Sequence, residues 1–213
     1  MKKIFLSIIA IILIAEITSS IQIFADNFES GTLGGWNKTN VAGARNWTEN
    51  QTDPFQGSWH AQSHPVSTTE PASVLEINIS TLEYQNISIF YHRKLVGIDA
   101  ADEFQMEWFN GSTWNISEQT AGSSASDTSY LPRNFNLSIS ANNNTKFKIK
   151  FECTAGAVSE FCRVDNINIT GNLMPDITNP SVFLISPTNA STTTTNLTFF
   201  NAHFIDNKNL TNA

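Results

Sequence analysis

Apolar and polar residues alternate with a period of two along much of the chain, which is the pattern of half-buried β-strands. In residues 73–80 the apolar side chains are Leu75, Ile77 and Ile79, with polar residues between them. Strand-like runs recur at residues 86–93, 103–109, 113–118, 134–140, 146–151 and 163–170. Turn-forming sequences such as Asp-Pro at 53–54 and Asn-Gly at 110–111 separate them. Helical spacing does not recur, so the pattern predicts an all-β protein built as an antiparallel sandwich.

The first 20 residues have the pattern of a secretory signal peptide. Lys2 and Lys3 precede an apolar run, residues 4–15, that only Ser7 interrupts. About a dozen apolar residues are too few to span a bilayer, which takes about 20. We therefore predict an exported chain whose mature form starts near Ile21 and has no membrane span, with an uncleaved N-terminal anchor as the alternative.

The character of the chain changes again after residue 171. Residues 172–180 contain Pro175 and Pro180 with Asp and Asn nearby, which indicates a linker. Only 39 residues follow Met174, whereas a β-sandwich of the immunoglobulin kind takes roughly 100. The predicted organisation is a complete β-sandwich over residues 21–171, a linker, and the truncated start of a second β-domain over residues 181–213.

Composition narrows the function classes. Only 15% of the residues are charged, whereas 68 of 213 are Asn, Ser or Thr, so a coiled coil or long-helix protein is excluded. Twelve basic against 19 acidic residues leave a net charge of −7. That balance gives no electrostatic footprint for nucleic acid or an anionic membrane, and it leaves neutral surfaces such as glycans or other proteins as partners.

The two cysteines, Cys153 and Cys162, are expected to form a disulfide. An exported protein folds in a compartment that permits disulfides, and these are the only cysteines in the chain. A pair of reduced thiols is the alternative. A metal site is disfavoured because no third or fourth Cys or His lies close by in the sequence to complete a tetrahedral shell.

Five sequence segments resemble the MAM-type and related jelly-roll modules of secreted and cell-surface proteins. They are DNFESGTLGGW at residues 26–36, GSWHAQS at 57–63, SVLEINIS at 73–80, the run from 87 to 114, and FKIKF with CRVDNINI between 147 and 169. The chain has two cysteines where the vertebrate-type MAM pattern has four, so the resemblance extends more generally to concanavalin-like and galactose-binding-like jelly rolls. The tail, with PSVFLISP and NLTF, is similar to the immunoglobulin-like repeats of prokaryotic surface proteins.

The jelly-roll resemblance implies one structural Ca²⁺. In modules of this appearance a glutamate of the opening strand and an aspartate of the closing strand bind the ion, and the matching residues here are Glu29 and Asp165, with Asp26 as a third candidate. Calcium takes six to eight oxygen ligands, so such a site would tie the two ends of the domain together. The alternative is that these carboxylates are ordinary polar groups at a sheet edge. Asp99, Asp102 and Glu103 form a second acidic group, which we interpret as a solvated loop.

Tryptophan is the residue type best suited to stacking on a sugar ring. Trp36, Trp59 and Trp108 lie in strand-like patterns and are predicted to fill the core. Trp47 and Trp114 lie beside loops and are the predicted ligand contacts.

Thirteen Asn-x-Ser/Thr sequons are present, and in seven of them the central residue is Ile or Leu. A strand that turns Asn and Ser or Thr outward around an inward apolar residue produces such a sequon without any glycosylation. We therefore predict occupancy only at the loop sequons Asn50, Asn110 and Asn143, in a host that glycosylates exported proteins.

Motifs of catalysis are missing from the sequence. It contains no G-x-S-x-G elbow, no H-E-x-x-H and no phosphate-binding glycine loop. Glu103 and Glu107 share a strand face and leave two-carboxylate chemistry open. The predicted function is a non-catalytic extracellular binding or adhesion module whose partner is a glycan or another surface protein. The alternatives are an accessory domain of an exported hydrolase and a purely structural role in a surface layer.

Overall fold

A computed structural model describes residues 20–121, 126–178, 181–186 and 201–205. Thirteen strands and one short 3₁₀ turn, Ile139–Ala141, make up its regular structure. The strands are β1 (Ile21–Asp26), β2 (Asn37–Asn40), β3 (Thr48–Asn50), β4 (His60–Ser63), β5 (Ser73–Asn78), β6 (Tyr84–Val96), β7 (Glu103–Phe109), β8 (Trp114–Ala121), β9 (Leu131–Asn136), β10 (Lys148–Thr154), β11 (Phe161–Leu173), β12 (Ser181–Ser186) and β13 (Asn201–Ile205). The all-β prediction is confirmed, whereas the predicted signal peptide lies, apart from Ser20, outside the described residues.

Eleven of the strands form two facing antiparallel sheets. Sheet A has the order β3-β4-β11-β6-β9, with β1 also paired to β11, and sheet B has the order β2-β5-β10-β7-β8. Long-range pairs such as β1 with β11 and β5 with β10 bring distant parts of the chain together. This arrangement confirms the predicted jelly-roll sandwich.

The core lies between the sheets and follows the alternation of the sequence. On β7, Phe104, Met106 and Trp108 point inward and are buried, and their partners on β10 include Phe151 and Ile149. The residues between them therefore point to the outer face of sheet B. Burial of these large side chains is the main favourable contribution to folding.

A disulfide joins Cys153 and Cys162, as predicted. Cys153 belongs to β10 in sheet B and Cys162 to β11 in sheet A, and both are completely buried. The bond therefore links the two sheets across the core in addition to closing the loop between the strands.

A buried polar network also joins the sheets. The carboxylate of Glu118 on β8 points inward, where it accepts hydrogen bonds from Tyr91 and from Arg93, the latter at 2.5 Å. Arg133 on β9 lies 2.7 Å from the same carboxylate. Two arginines thus neutralise a carboxylate that burial alone would disfavour.

The chain divides into two compact units between Leu173 and Met174. Strand β11 extends to Leu173, because Asn172 and Leu173 pair with Gln85 and Tyr84 of β6, so the first two residues of the predicted linker 172–180 belong to a strand. The linker itself stays a prediction. In the second unit, β12 pairs with β13 as an antiparallel ribbon. The described residues contain no helix with the length and apolar character needed to cross a membrane.

Candidate functional site

The outer face of sheet B combines aromatic rings with a group of half-buried and buried polar side chains. It is formed by the outward residues of β10, β7 and β8, including Lys150, Glu107, Phe109 and Trp114. Alternation within each strand places these side chains on one face, opposite the core residues. We call this surface the sheet B face.

Phe109 and Trp114 form an aromatic pair at one end of the sheet B face. They are directly opposite each other on β7 and β8, and their ring centroids are 5.3 Å apart at an interplanar angle of 46°. The ammonium of Lys150 lies 4.3 Å from the centroid of Trp114, within the range of a cation–π contact. Trp114 is half-buried, so part of the ring is open to a ligand.

Charged and amide side chains line the face beside this pair. Lys150 lies 3.0 Å from a carboxylate oxygen of Glu107 and 2.5 Å from one of Glu152. Burial alone would lower the pKa of Lys150. The hydrogen bonds and negative charges of Glu152 and Glu107 outweigh this effect of burial, so the pKa of the ammonium is raised. Burial raises the pKa of Glu152, and Lys150 offsets that rise only in part.

The amides of two glutamines continue the polar surface toward the other end of the face. Gln105 and Gln119 both donate hydrogen bonds to Glu103, the former at 2.6 Å. Glu103 and Glu107 do share this face, with their backbones about 13 Å apart at four residues along a strand. Glu103 is bound by the two glutamine amides and Glu107 by the ammonium of Lys150, so the two carboxylates are held by separate contacts.

A cleft of about 480 Å³ opens beyond Phe109. It lies where β5, β7 and β10 meet at one end of sheet B, and it is continuous with the sheet B face through Phe109 and Lys148. Its lining comprises Asn78, Ile79, Ser80, Phe109, Thr145, Lys146, Phe147 and Lys148. A ligand lying on Phe109 and Trp114 can therefore extend into it.

The prediction that Trp47 contacts a ligand is wrong. Trp47 has no exposed surface and belongs to the core, where an indole ring cannot stack on a sugar. The core assignment is confirmed for Trp36 and Trp108, and Trp59 is partly buried against the same core. Phe109 is a ring that the sequence pattern did not single out. It is the last residue of β7 and directly precedes the Asn110-Gly111 turn, so its place at the end of a strand is recognisable in the sequence.

The predicted calcium ligands Glu29 and Asp165 both bind the backbone of residues 53–58. Glu29 accepts the N–H groups of Ser58 and Trp59, each at 2.9 Å. Asp165, which is completely buried, accepts the N–H of Phe55 at 3.0 Å. Burial raises the pKa of Asp165 to about 6, and the negative charge of Glu29 adds to the rise. We call residues 53–58 the covering segment, since it lies over the outer face of sheet A.

Asp26 does not join these two carboxylates in a three-membered cluster. One of its oxygens accepts the indole N–H of Trp36 at 2.8 Å and the other the N–H of Phe28 at 2.8 Å. In the described part of the chain, a different group of three acidic side chains does come together. Carboxylate oxygens of Asp99, Asp102 and Glu160 all lie within 4.8 Å of one another. Asp102 and Glu160 are buried there, which differs from the solvated loop that we predicted for Asp99, Asp102 and Glu103.

The three predicted glycosylation sites occupy turns or strand ends. The side-chain oxygen of Asn50 accepts the N–H of Thr52, that of Asn110 accepts the N–H of Ser112, and that of Asn143 accepts the N–H of Glu83. Their occupancy stays a prediction.

Comparison with known proteins identifies the fold. No protein-family model matches the sequence. No curated protein matches it either. The structure is similar to the carbohydrate-binding module TmCBM61, determined in complex with beta-1,4-galactotriose, at 10% identity and a TM-score of 0.52 over 68% of this chain and 94% of that one.

Two further structures give similar values. The CBM22-1 xylan-binding domain of Xyn10C from Paenibacillus barcinonensis is 16% identical, with a TM-score of 0.52 over 74% of this chain and 99% of that one. The K2 cleaved adhesin domain of Lys-gingipain is 12% identical, with a TM-score of 0.51 over 71% and 99%. At these identities the likeness shows the fold, a jelly-roll β-sandwich. The finer resemblances, to MAM modules and immunoglobulin-like repeats, stay predictions.

Proposed function

We propose that the protein is a non-catalytic, exported glycan-binding module whose ligand lies on the sheet B face. The observation that carries the proposal is the aromatic pair Phe109 and Trp114 beside the polar row of Lys150, Glu107 and Glu152. An aromatic ring packs against the C–H face of a pyranose, while carboxylates, amides and an ammonium exchange hydrogen bonds with its hydroxyl groups.

Two other findings support this function. Two of the structural neighbours are named for glycans, one as a xylan-binding domain and one in complex with a galactotriose. The disulfide between Cys153 and Cys162 is typical of chains that fold outside the reducing cytosol. Glycan binding of this kind would serve either adhesion by a surface protein or targeting of an exported hydrolase.

The test is glycan binding by the wild type and by Trp114→Ala, first on a glycan array and then by titration with the best binder. We expect Trp114→Ala to weaken binding about five- to thirty-fold, because stacking on an aromatic ring contributes on the order of 1–2 kcal/mol. Ile139→Ala is the control, since Ile139 is 85% exposed and lies outside the sheet B face. Unchanged binding by Trp114→Ala would place the ligand elsewhere, and an array without any binder would favour a protein partner.

We further propose that Glu29 and Asp165 bind one Ca²⁺, as the jelly-roll resemblance implies, but that the third candidate, Asp26, lies outside the site. The donor chemistry fits in one respect, because two carboxylates from opposite ends of the domain lie beside the same backbone segment and supply oxygen ligands of the kind that Ca²⁺ takes. The ion would compensate two negative charges that now rely on backbone N–H groups alone. It would also fasten the covering segment to strand β11.

Calcium binding is tested by thermal unfolding in Ca²⁺ and in chelator, together with elemental analysis of the purified protein. We expect a higher Tm in Ca²⁺ for the wild type and for Asp26→Asn, and no calcium-dependent shift for Asp165→Asn. Equal melting temperatures in the wild type, with no Ca²⁺ in the purified protein, would contradict the proposal.

A further inference from the structure

The cleft beyond Phe109 has a positive character that the chain as a whole lacks. The protein carries a net charge of −7, yet the cleft lining contains Lys146 and Lys148 and no acidic residue. Lys148 is paired with Glu76 at 2.9 Å. Lys146 is exposed and forms no ion pair with any residue that the structure describes, so its charge is available to a ligand.

The opposite end of the sheet B face has the reverse charge. Glu103 and Glu152 lie toward that end and Glu107 lies between them and the aromatic pair, and the ammonium of Lys150 contacts Glu107 and Glu152. An anionic group on a bound glycan is therefore repelled at the Glu103 end and attracted at the Lys146 end. The charge distribution fixes the direction in which a charged ligand can lie.

Apolar surface in the cleft suits a sugar ring rather than a free anion. Phe109 and Ile79 are half-buried in the lining, and the hydroxyl and amide groups of Ser80, Thr145 and Asn78 surround them. A small inorganic anion would leave this surface uncovered. A pyranose that carries a negative group uses both the ring face and the ammonium.

From this geometry we infer that the cleft binds an acidic sugar unit, a pyranose bearing a carboxylate or a sulfate ester, with its ring on Phe109 and its anionic group beside Lys146. This inference rests on the proposed glycan-binding function and adds the class of ligand. The shared chemistry is an anion on a sugar ring, and the experiment separates carboxylate from sulfate.

The probes are two matched pairs of polysaccharides in affinity electrophoresis: polygalacturonate against its methyl ester, and dextran sulfate against dextran. We expect the wild type to bind at least one acidic member about five-fold more tightly than its neutral partner, and the preference to fall as ionic strength rises. Lys146→Gln should abolish the preference by lowering the affinity for the acidic member to that of the neutral one. Lys38→Gln, an exposed lysine outside the cleft, is the matched control and should behave as the wild type.

The outcomes separate this inference from the function on which it rests. Binding of neutral and acidic partners with equal affinity, lost in Trp114→Ala, would retain the glycan-binding function and overturn the acidic ligand. A preference for acid that persists in Lys146→Gln would also overturn it. Failure to bind any polysaccharide, here and on the array, would overturn both.

Discussion

The outer faces of the two sheets start from the same alternating pattern and end in different environments. On sheet A the outward residues of β6 and β11 lie beneath the covering segment, in which the ring of Phe55 stacks on His92 with centroids 3.4 Å apart. On sheet B the outward rings of Phe109 and Trp114 are half-buried, and Ile116 beside them is 53% exposed.

Charge is also used differently on the two faces. Asp53 of the covering segment bonds Lys94 at 2.7 Å and Arg163 at 3.0 Å, so on sheet A ion pairs attach a loop to the sheet. On sheet B Lys150 pairs with Glu107 on the neighbouring strand and with Glu152 on its own strand, so these ion pairs stay within the face itself. Polar alternation along a strand therefore defines an outer face. The loops that connect the strands decide whether that face is covered or open to a ligand.

The largest expected effect on this comparison comes from Gly57→Ala in the covering segment. Gly57 has a φ of +72°, and an added Cβ would lie 2.3 Å from the carboxyl carbon of Glu29. The side chain of Glu29 can move aside only by giving up its hydrogen bonds to Ser58 and Trp59. The lost hydrogen bonds and the left-handed backbone conformation, which disfavours alanine, should together lower the free energy of unfolding, measured in urea, by about 3 kcal/mol.

Gly43→Ala is the control for this substitution. Gly43 has a φ of +87° but nothing within 4 Å of the added Cβ, so only the backbone conformation is penalised, by about 1 kcal/mol. Equal losses in the two variants would show that the contact between Glu29 and the covering segment contributes nothing to stability.

An effect of similar size is expected from pH. His60 points to the outer face of sheet A yet has no exposed surface, and burial, with the nearby charge of Arg163, lowers its pKa from 6.5 to about 4. The unfolded chain therefore binds a proton that the folded chain does not, and stability falls as the pH drops from 6.5 toward 4. The effect of His60 is largest below the folded-state pKa, where it lowers the free energy of unfolding by about 3 kcal/mol relative to neutral pH.

His60→Gln isolates this contribution, because glutamine does not titrate. Asp165 acts in the opposite sense, since its raised pKa makes stability fall as the pH rises toward 6. The difference in free energy of unfolding between wild type and His60→Gln should therefore change with pH between 4 and 6.5. As the pH falls through this range, the wild type should lose more stability than the variant. A difference independent of pH would mean that His60 is accessible to protons in the folded state.

The fold was predictable from the sequence wherever the alternation is regular. In the sequon at Asn86 the central Ile87 is 1% exposed, as the outward-Asn pattern predicts, but in the sequon at Asn115 the central Ile116 points outward. The pairing of β7 with β8 shifts at a bulge between Met106 and Glu107. A single inserted residue reverses the faces that follow it, and period-two reasoning does not detect it.

The candidate site was predictable only in part. Trp47 and Trp114 both lie beside loops in the sequence, but the direction in which a loop folds depends on contacts with distant strands, and Trp47 is directed into the core. The choice of Glu29 and Asp165 as candidate calcium ligands followed from a motif resemblance. The covering segment that joins Glu29 to Asp165 did not, because its position depends on hydrogen bonds between residues about 110 apart in the chain.

The smallest expected effect separates the two faces by function. Phe55 is 40% exposed and stacks on His92, so Phe55→Ala should lower the free energy of unfolding by about 1 kcal/mol through loss of the ring contact. Ile116→Ala, at an exposed position on the sheet B face, should change it by less than about 0.5 kcal/mol. Glycan affinity should be unchanged in Phe55→Ala, because the ring belongs to a structural face. A loss of affinity as large as that of Trp114→Ala would instead move the binding surface to sheet A and reverse the assignment of the two faces.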